Sequence, residues 1–433
     1  STLAAAAAAD RRRHMTPDNS RRLMLGLGVG AGALALASIP TADAQKRPER
    51  KMLSAADFGA RGDGASDDTA ALQAALDAAF AADGPGFLTI PPGTYTVTRT
   101  LHIVRGAGAA RDITRHHGIQ AHGARLHSKI GDGTNVLELR SAATMRFLTI
   151  EGLDILGSGR EGDGIYLECE HQAHYIYNFC LRDLVVQGVG GDGLRLSGNV
   201  FEGQLINVYL RDNKKNGATF AHGSKAGILS AIHVFGSVFG QNGRFGAAMV
   251  RGCYDVSFHG CYFLLNGKEG LVAENGCTLL SNCGFENNHE SAPDFARGGA
   301  GIWLQSFGTL IGCTAYSMFK QTRLIQAHVV SQLAMIGCSG SGDDKAKGAG
   351  LARIGGEKKA RAVVMSSQGA VEYLNGFEGL EIAATDKGGV RFASNWQSAN
   401  LLQLGDYRVW VDKAGRLRLK KGTPTSDEDG ATG

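Results

Sequence analysis

The sequence predicts an all-β chain wound as a parallel β-helix, and three observations carry that expectation. The chain has 62 glycines and 8 prolines in 433 residues beside an ordinary 43% hydrophobic content. Many tight turns around a real core give that balance; disorder does not. A short unit, Gly–apolar–any–apolar, recurs as GIYL at Gly164, GLRL at Gly193, GATF at Gly217, GAAM at Gly246, GLVA at Gly270 and GIWL at Gly301. Its steps are 29, 24, 29, 24 and 31 residues. Asparagine turns stand upstream of the later units, at Asn213, Asn242, Asn266 and Asn288.

Each element has a physical reason. The apolar pair flanking a variable residue is the period of a strand with one buried face. Asparagine tolerates left-handed backbone and bonds its own turn, so these residues are expected at the corners. One unit every 22–31 residues, with no long helix between, makes each repeat one coil of a solenoid. An antiparallel sandwich would need a hairpin turn about every 8–12 residues.

The cysteines follow the same spacing. Cys253 and Cys277 are 24 residues apart, and Cys261, Cys283, Cys313 and Cys338 step by 22, 30 and 25. Equivalent positions on successive coils stack about 4.8 Å apart, which predicts a ladder of free thiols inside the solenoid. Disulfides and a metal site are the alternatives, and no C-x-x-C pair or histidine at ligand spacing favours the metal.

At the N-terminus, Arg21-Arg22 precede an apolar run from Leu23 to Ile39 that ends in the A-x-A pattern Ala42-Asp43-Ala44. This pattern predicts a cleaved, twin-arginine-like export leader, with a membrane anchor as the alternative reading. The expected organisation is a leader at 1–44, a β-helix domain at 45–403 with a capping helix near 67–82, and a C-terminal segment at 404–433. The mature protein is expected in the periplasm or secreted, without membrane contact once the leader is removed. Folding before export in a reducing compartment agrees with free thiols. Of the formal charge of +4, the five Arg and three Asp of residues 1–44 carry +2, and the weakly basic remainder implies no nucleic-acid partner.

Residues 57–98 read DFGARGDGASDDTAALQAALDAAFAADGPGFLTIPPGTYTVT. Asp67, Asp68 and Thr69 are placed to cap a helix with Ala71, Leu72, Leu76 and Phe80 along one face. This run, followed by the IPPGTYTV turn and strand, resembles the N-terminal motif of the pectate-lyase-like superfamily of right-handed parallel β-helix proteins. That superfamily holds polysaccharide lyases, glycoside hydrolases, alginate epimerases and phage tailspike depolymerases. The resemblance implies a right-handed solenoid and a polysaccharide partner, while the reaction is open because one fold hosts many chemistries. The stretch from Tyr407 to Gly430 is similar to C-terminal segments of tailspike-like proteins, which implies a homotrimer. The D-P-H-E run of the epimerase group is absent, which counts against epimerisation.

Outward residues of successive strands stack into surface columns. The first two GhxΦ coils bring Asp163, Tyr166 and Glu168 one rung from Asp192 and Arg195, the first candidate catalytic group. Three carboxylates that close call for a raised pKa or a cation, so Asp163, Glu168 and Asp192 are the candidate Ca²⁺ ligands, with no cofactor as the alternative. In an elimination, Arg195 or Tyr166 would remove the proton beside a uronate carboxylate. In a hydrolysis, a protonated carboxyl would donate to the leaving oxygen while its partner activated water. The plain alternative makes the aspartates turn residues bonding their own loop. A second candidate group is Glu286, His289, Glu290 and Asp294, with Trp303, Glu269, Lys268 and Arg244 as substrate-binding residues. The leading expectation is an exported lyase acting on a uronate polymer. The alternatives are a glycoside hydrolase using paired carboxylates and a non-catalytic, trimeric carbohydrate-binding or structural β-helix.

Overall fold

A computed structural model of the chain describes residues 52–81, 84–105, 116–169, 173–222, 227–250, 252–275, 277–289, 299–317, 323–342, 350–357, 360–365 and shorter stretches up to Thr432. The chain divides into Ser1–Glu49 and Arg50–Gly433. The first unit, with the expected leader, lies outside the described residues, and all that follows concerns the second.

The second unit is a right-handed parallel β-helix. Its strands stack in three parallel sheets, joined at corners where a long strand such as Val200–Arg211 or Ala300–Ile311 pairs in two of them. The second sheet runs through Leu229–Phe235, Cys253–His259 and Cys277–Ser281, and the third through Val238–Gly240, Tyr262–Leu264 and Gly284–Glu286. The first sheet, which carries the site, includes Leu101–Arg105, Leu137–Ser141, Ile165–Cys169, Leu194–Gly198, Ala218–Ala221, Ala247–Met249 and Leu271–Ala273. Its register is unbroken through these strands: Leu101 pairs with Leu137, Leu137 with Ile165, Ile165 with Leu194, Leu194 with Ala218, Ala218 with Ala247 and Ala247 with Leu271. The apolar residues of the GhxΦ unit point inward, as Leu167, Leu196 and Phe220 show, all at most 1% exposed.

The asparagines do a different job from the one their turn preference predicts. The left-handed residue at that corner is the one before: Asp212, Gln241, Leu265 and Asn287 have φ of 55°, 54°, 54° and 48°. Asn213, Asn242, Asn266 and Asn288 instead form a buried side-chain ladder. The Asn213 amide donates to Asn242 Oδ1 at 3.1 Å, Asn242 to Asn266 at 3.0 Å, and Asn266 to Asn288 at 2.9 Å. This ladder explains the glycine of the repeat. A Cβ on Gly246 would sit 2.5 Å from the Gly270 carbonyl oxygen and 2.9 Å from the Asn266 amide nitrogen, so any side chain there collides with the next coil.

Inside the coils, Phe239, Phe263 and Phe285 stack with centroids 4.9 and 4.7 Å apart and planes within 8°. Beside them, Cys261, Cys283, Cys313 and Cys338 are buried and free, each thiol donating to a backbone carbonyl of the preceding coil. Ser257 pairs with Leu279, an offset of 22. The 24-residue step from Cys253 to Cys277 therefore does not repeat the register as the first ladder does.

One end of the solenoid is capped by the helix Thr69–Phe80, which buries Leu72, Leu76 and Phe80 against the first coils. Its Asp68 N-cap makes no side-chain cap bond; the carboxylate instead accepts from the Arg61 and Gly62 amides at 2.7 and 3.2 Å. Asp67 satisfies the Thr69 amide in its place, at 3.0 Å. Toward the C-terminus, Leu402–Leu404, Tyr407–Val411, Leu417–Lys421 and Ala431–Thr432 form a separate antiparallel sheet. No helix of the described residues is long and apolar enough to cross a membrane.

Candidate functional site

The outward face of the first sheet builds the site. Register places His102, Glu138, Tyr166, Arg195 and Thr219 in one column, and Arg140, Glu168, Ser197 and Ala221 in the next. At these two-residue and one-coil separations the side chains meet. Tyr166 donates its hydroxyl hydrogen to Glu168 Oε1 at 2.6 Å. Arg140 reaches Glu168 Oε2 at 2.9 Å and Glu138 Oε1 at 2.5 Å, and its guanidinium lies 5.4 Å from the Tyr166 ring centroid. The Asn135 amide donates to the other Glu138 oxygen at 2.7 Å. His102 Nδ1 stands 3.7 Å from Glu138. Burial, and next the bond to Glu168, push the Tyr166 phenol well above its ordinary range.

The sequence expectation therefore holds for Tyr166, Glu168 and Arg195 as neighbours, and misses Glu138 and Arg140. Their coil reads Asn135-Val136-Leu137-Glu138-Leu139-Arg140 and has valine where the repeat has glycine. Counting back 28 residues from Ile165 to Leu137, or noticing the Leu137–Leu139 alternation, would have found them. Farther along, Val250 and Glu274 do not extend the second column, because their strands end at Met249 and Ala273.

Asp163 and Asp192 sit beside this cluster but belong to a backbone ladder. Asp163 Oδ1 accepts the Asp192 amide at 2.8 Å, and Asp192 Oδ1 accepts the Asn216 amide at 3.0 Å. Asn135 and Asn216 take the same role on the flanking coils, accepting from Asp163 and Phe245. Asp192 Oδ2 also lies 3.7 Å from Arg195. Burial, and then the Asp192 charge, raise the Asp163 carboxyl above its usual value. These bonds tie one coil to the next, and so differ from the local turn role that stood as the alternative.

The proposed calcium ligands Asp163, Glu168 and Asp192 do not fit a metal. One oxygen of each aspartate holds a backbone amide, and the two Glu168 oxygens hold Tyr166 and Arg140. Among the described residues no group of three or more His, Cys, Asp or Glu is arranged to bind an ion.

Of the second candidate group the structure describes Glu286 and His289, and it does not bring these two together. Glu290 and Asp294 lie outside the described residues. Glu286 faces out on the third sheet, paired with Leu264 and Tyr316, where it accepts from the Tyr262 hydroxyl. His289 is buried against Glu269 at 3.8 Å, with Nε2 3.1 Å from the Ala300 carbonyl oxygen. Glu269 is 1% exposed, out of reach of a sugar chain. Lys268 and Arg244 lie over the Phe245 ring at 5.6 and 5.3 Å. Trp303 packs on a cluster of Phe245, Ala248 and Val272.

A family model described as rhamnogalacturonase A/epimerase, pectate lyase-like, matches residues 52–292, a span that holds the cap and the whole cluster. The chain belongs to that family. A second model, capsule depolymerase, matches residues 358–432. Among curated relatives of this pectate lyase-like chain are two mannuronan C5-epimerases of Azotobacter vinelandii. AlgE5 is 28% identical over 51% of the chain and 24% of its own length, and AlgE1 31% identical over 51% and 16%. The chain thus spans a quarter or less of the length of these two relatives. Among solved structures, ORF18 of Geobacillus virus E2 aligns with TM-score 0.53 and 18% identity, over 86% of this chain and 68% of that one. Tailspike protein 2 of the Escherichia coli O157:H7 bacteriophage CAB120 aligns with TM-score 0.52 and 13% identity, over 73% and 42%. At these identities the structural matches speak for the pectate lyase-like fold and not for chemistry.

Proposed function

We propose that this protein is an exported lyase that cleaves a uronate-containing polysaccharide by removing a proton and eliminating the glycosidic oxygen. The observation that carries the reading is the Tyr166 hydroxyl, held at 2.6 Å on Glu168 with Arg140 over its ring and Arg195 on the next coil. A guanidinium binds a uronate carboxylate as a fork and, by neutralising it, acidifies the proton on the adjoining carbon. Burial keeps Tyr166 protonated, so the phenol acts as a relay. Its oxygen takes the substrate proton while its own proton passes to Glu168. The electron pair left on carbon forms the double bond and expels the glycosidic oxygen at the β position. That oxygen takes the Tyr166 proton, and Glu168 returns a proton to Tyr166, so the protein ends as it began.

A C5-epimerase of mannuronan must break the same carbon–hydrogen bond, so the curated relatives support a reaction that starts this way. A hydrolase would need two carboxylates free to serve as acid and base or nucleophile. The committed oxygens of Glu138, Glu168, Asp163 and Asp192 make that reading weaker. Export rests on the Arg21-Arg22 leader pattern. Assembly as a homotrimer is part of the same reading, supported by exposed apolar residues such as Phe235, Ile311 and Ile336 on the second sheet.

The test is incubation of the chain with a panel of neutral and acidic polysaccharides, following unsaturated-uronate absorbance and reducing ends together. Both rising, and both lost in Glu168→Gln, is the expected result. Reducing ends without absorbance would replace the lyase with a hydrolase, and inversion of uronate stereochemistry without cleavage would replace it with an epimerase.

A further inference from the structure

We propose that a cleft between the N-terminal helix and the first coil of the site sheet is a binding site for an acidic polysaccharide chain, holding the residues on one side of the reaction centre. The class of ligand rests on the polyuronate reading above; the site itself rests on the shape of the molecule.

The cleft has a volume of about 650 Å³, within the few-hundred to thousand Å³ range typical of ligand sites. One wall is the solvent side of the helix Thr69–Phe80: Gln73, Ala74 and Asp77. The opposite wall carries Arg99, His102, Asp132 and Thr134. Gln73 pins the two walls together, accepting from the His102 amide and donating to the His102 carbonyl, both at 2.8 Å. The spacing between them is therefore set by the fold.

Position ties the cleft to the chemistry. His102 lines it and also stands 3.7 Å from Glu138, the residue one coil before Tyr166 in the same outward column. The groove over the cluster thus continues into the cleft without a break in the column. In the other direction the column turns apolar among the described residues. The outward residues after Thr219 are Ala248 and Val272, only 4% and 3% exposed, packed with Phe245 and Trp303. A chain crossing the cluster has room to extend toward the helix.

The lining suits a polyuronate segment. Arg99 offers the fork that one sugar carboxylate takes, while the Asp77 and Asp132 carboxylates accept from the hydroxyls of the same and neighbouring rings. The small Ala74 lets a ring lie against the helix.

The experiment is native electrophoresis of the full chain through gels cast with alginate or polygalacturonate, compared with Ala74→Trp, which fills the cleft, and Arg99→Ala, which removes its cation. Both positions are exposed, and thermal melting checks that the variants fold. The expected result is retardation of the parent by a polyuronate gel and at least tenfold weaker apparent binding in both variants. Equal retardation of all three, or a parent that no polyuronate retards, overturns the proposal. The readout does not depend on turnover: a parent that is retarded by the cleft yet forms no double bond sinks the lyase reading and leaves the cleft standing.

Discussion

Tyr166 and Glu168 lie two residues apart on one face of one strand, and the phenol donates to the carboxylate at 2.6 Å. Neither is placed by a loop. The strand between Leu137–Ser141 and Leu194–Gly198 holds both by register, so their separation survives changes in the loops around them. Tyr166→Phe keeps the ring over which Arg140 lies and removes only the hydroxyl. Activity should fall by about 10²–10⁴-fold, the usual worth of a proton-transfer group, with stability changed by about 1 kcal/mol. Product absorbance and thermal melting together check it, and near-parent activity would remove Tyr166 from the chemistry.

Arg140 joins two carboxylates that are otherwise little hydrated: the side chains of Glu138 and Glu168 are 11% and 8% exposed, Arg140 itself 53%. Arg140→Ala should leave both without their cation and cost about 1–3 kcal/mol, between an exposed pair and a buried one. Arg140→Lys restores the charge but not the two-armed reach, so it should recover most stability and little activity. Denaturant melts and turnover measured on the same samples separate the two effects; equal recovery of both would mean that Arg140 acts by charge alone.

The repeat was legible in the sequence because each coil reuses one alternation, and Gly164, Gly193, Gly217, Gly246 and Gly270 marked where each coil begins. The cluster was half legible. Tyr166, Glu168 and Arg195 follow a marking glycine, while Glu138 and Arg140 follow Val136, so the coil that completes the site lacked its flag. The fate of Asp163 and Asp192 was hidden for another reason. Whether a GDG aspartate faces a ligand or the next coil's amide depends on the stacking distance, which residue types do not encode. His289 and Glu286 are three residues apart in sequence, yet the turn between them sends one into the interior and the other onto a different sheet.

Asn242 tests the ladder that sets the coil spacing. Its side chain accepts from the Asn213 amide nitrogen and donates to Asn266 Oδ1 and the Leu210 carbonyl, at 3.1, 3.0 and 3.1 Å, all buried. Asn242→Ala leaves these partners unsatisfied and should cost about 2–4 kcal/mol. Asn242→Asp keeps the acceptor and loses the donor, so it should be no milder at neutral pH. Urea unfolding gives both values, and a loss under about 0.5 kcal/mol, the range of ordinary surface substitutions, would show that the ladder is incidental.

Asp163 offers a test with a definite sign. Its folded pKa lies above the ordinary 3.8, through burial first and the Asp192 charge second. The folded state therefore prefers the neutral carboxyl. Whatever stability that preference contributes is fully present below the unfolded value and is lost as pH rises through the folded value. At neutral pH the charged Asp163 is a cost, and the ladder already accepts amides at Asn135 and Asn216. Asp163→Asn should therefore melt higher than the parent at pH 7, by on the order of 1–2 °C, and the difference should shrink to nothing below about pH 4. Because Asp163 Oδ1 spends itself on the Asp192 amide, the same variant should keep most of its turnover. Melting curves from pH 3 to pH 8 with activity at each stable point decide both halves. A variant that melts lower at neutral pH would reverse the electrostatic argument, and one that melts higher but is inactive would return Asp163 to the reacting group beside Tyr166.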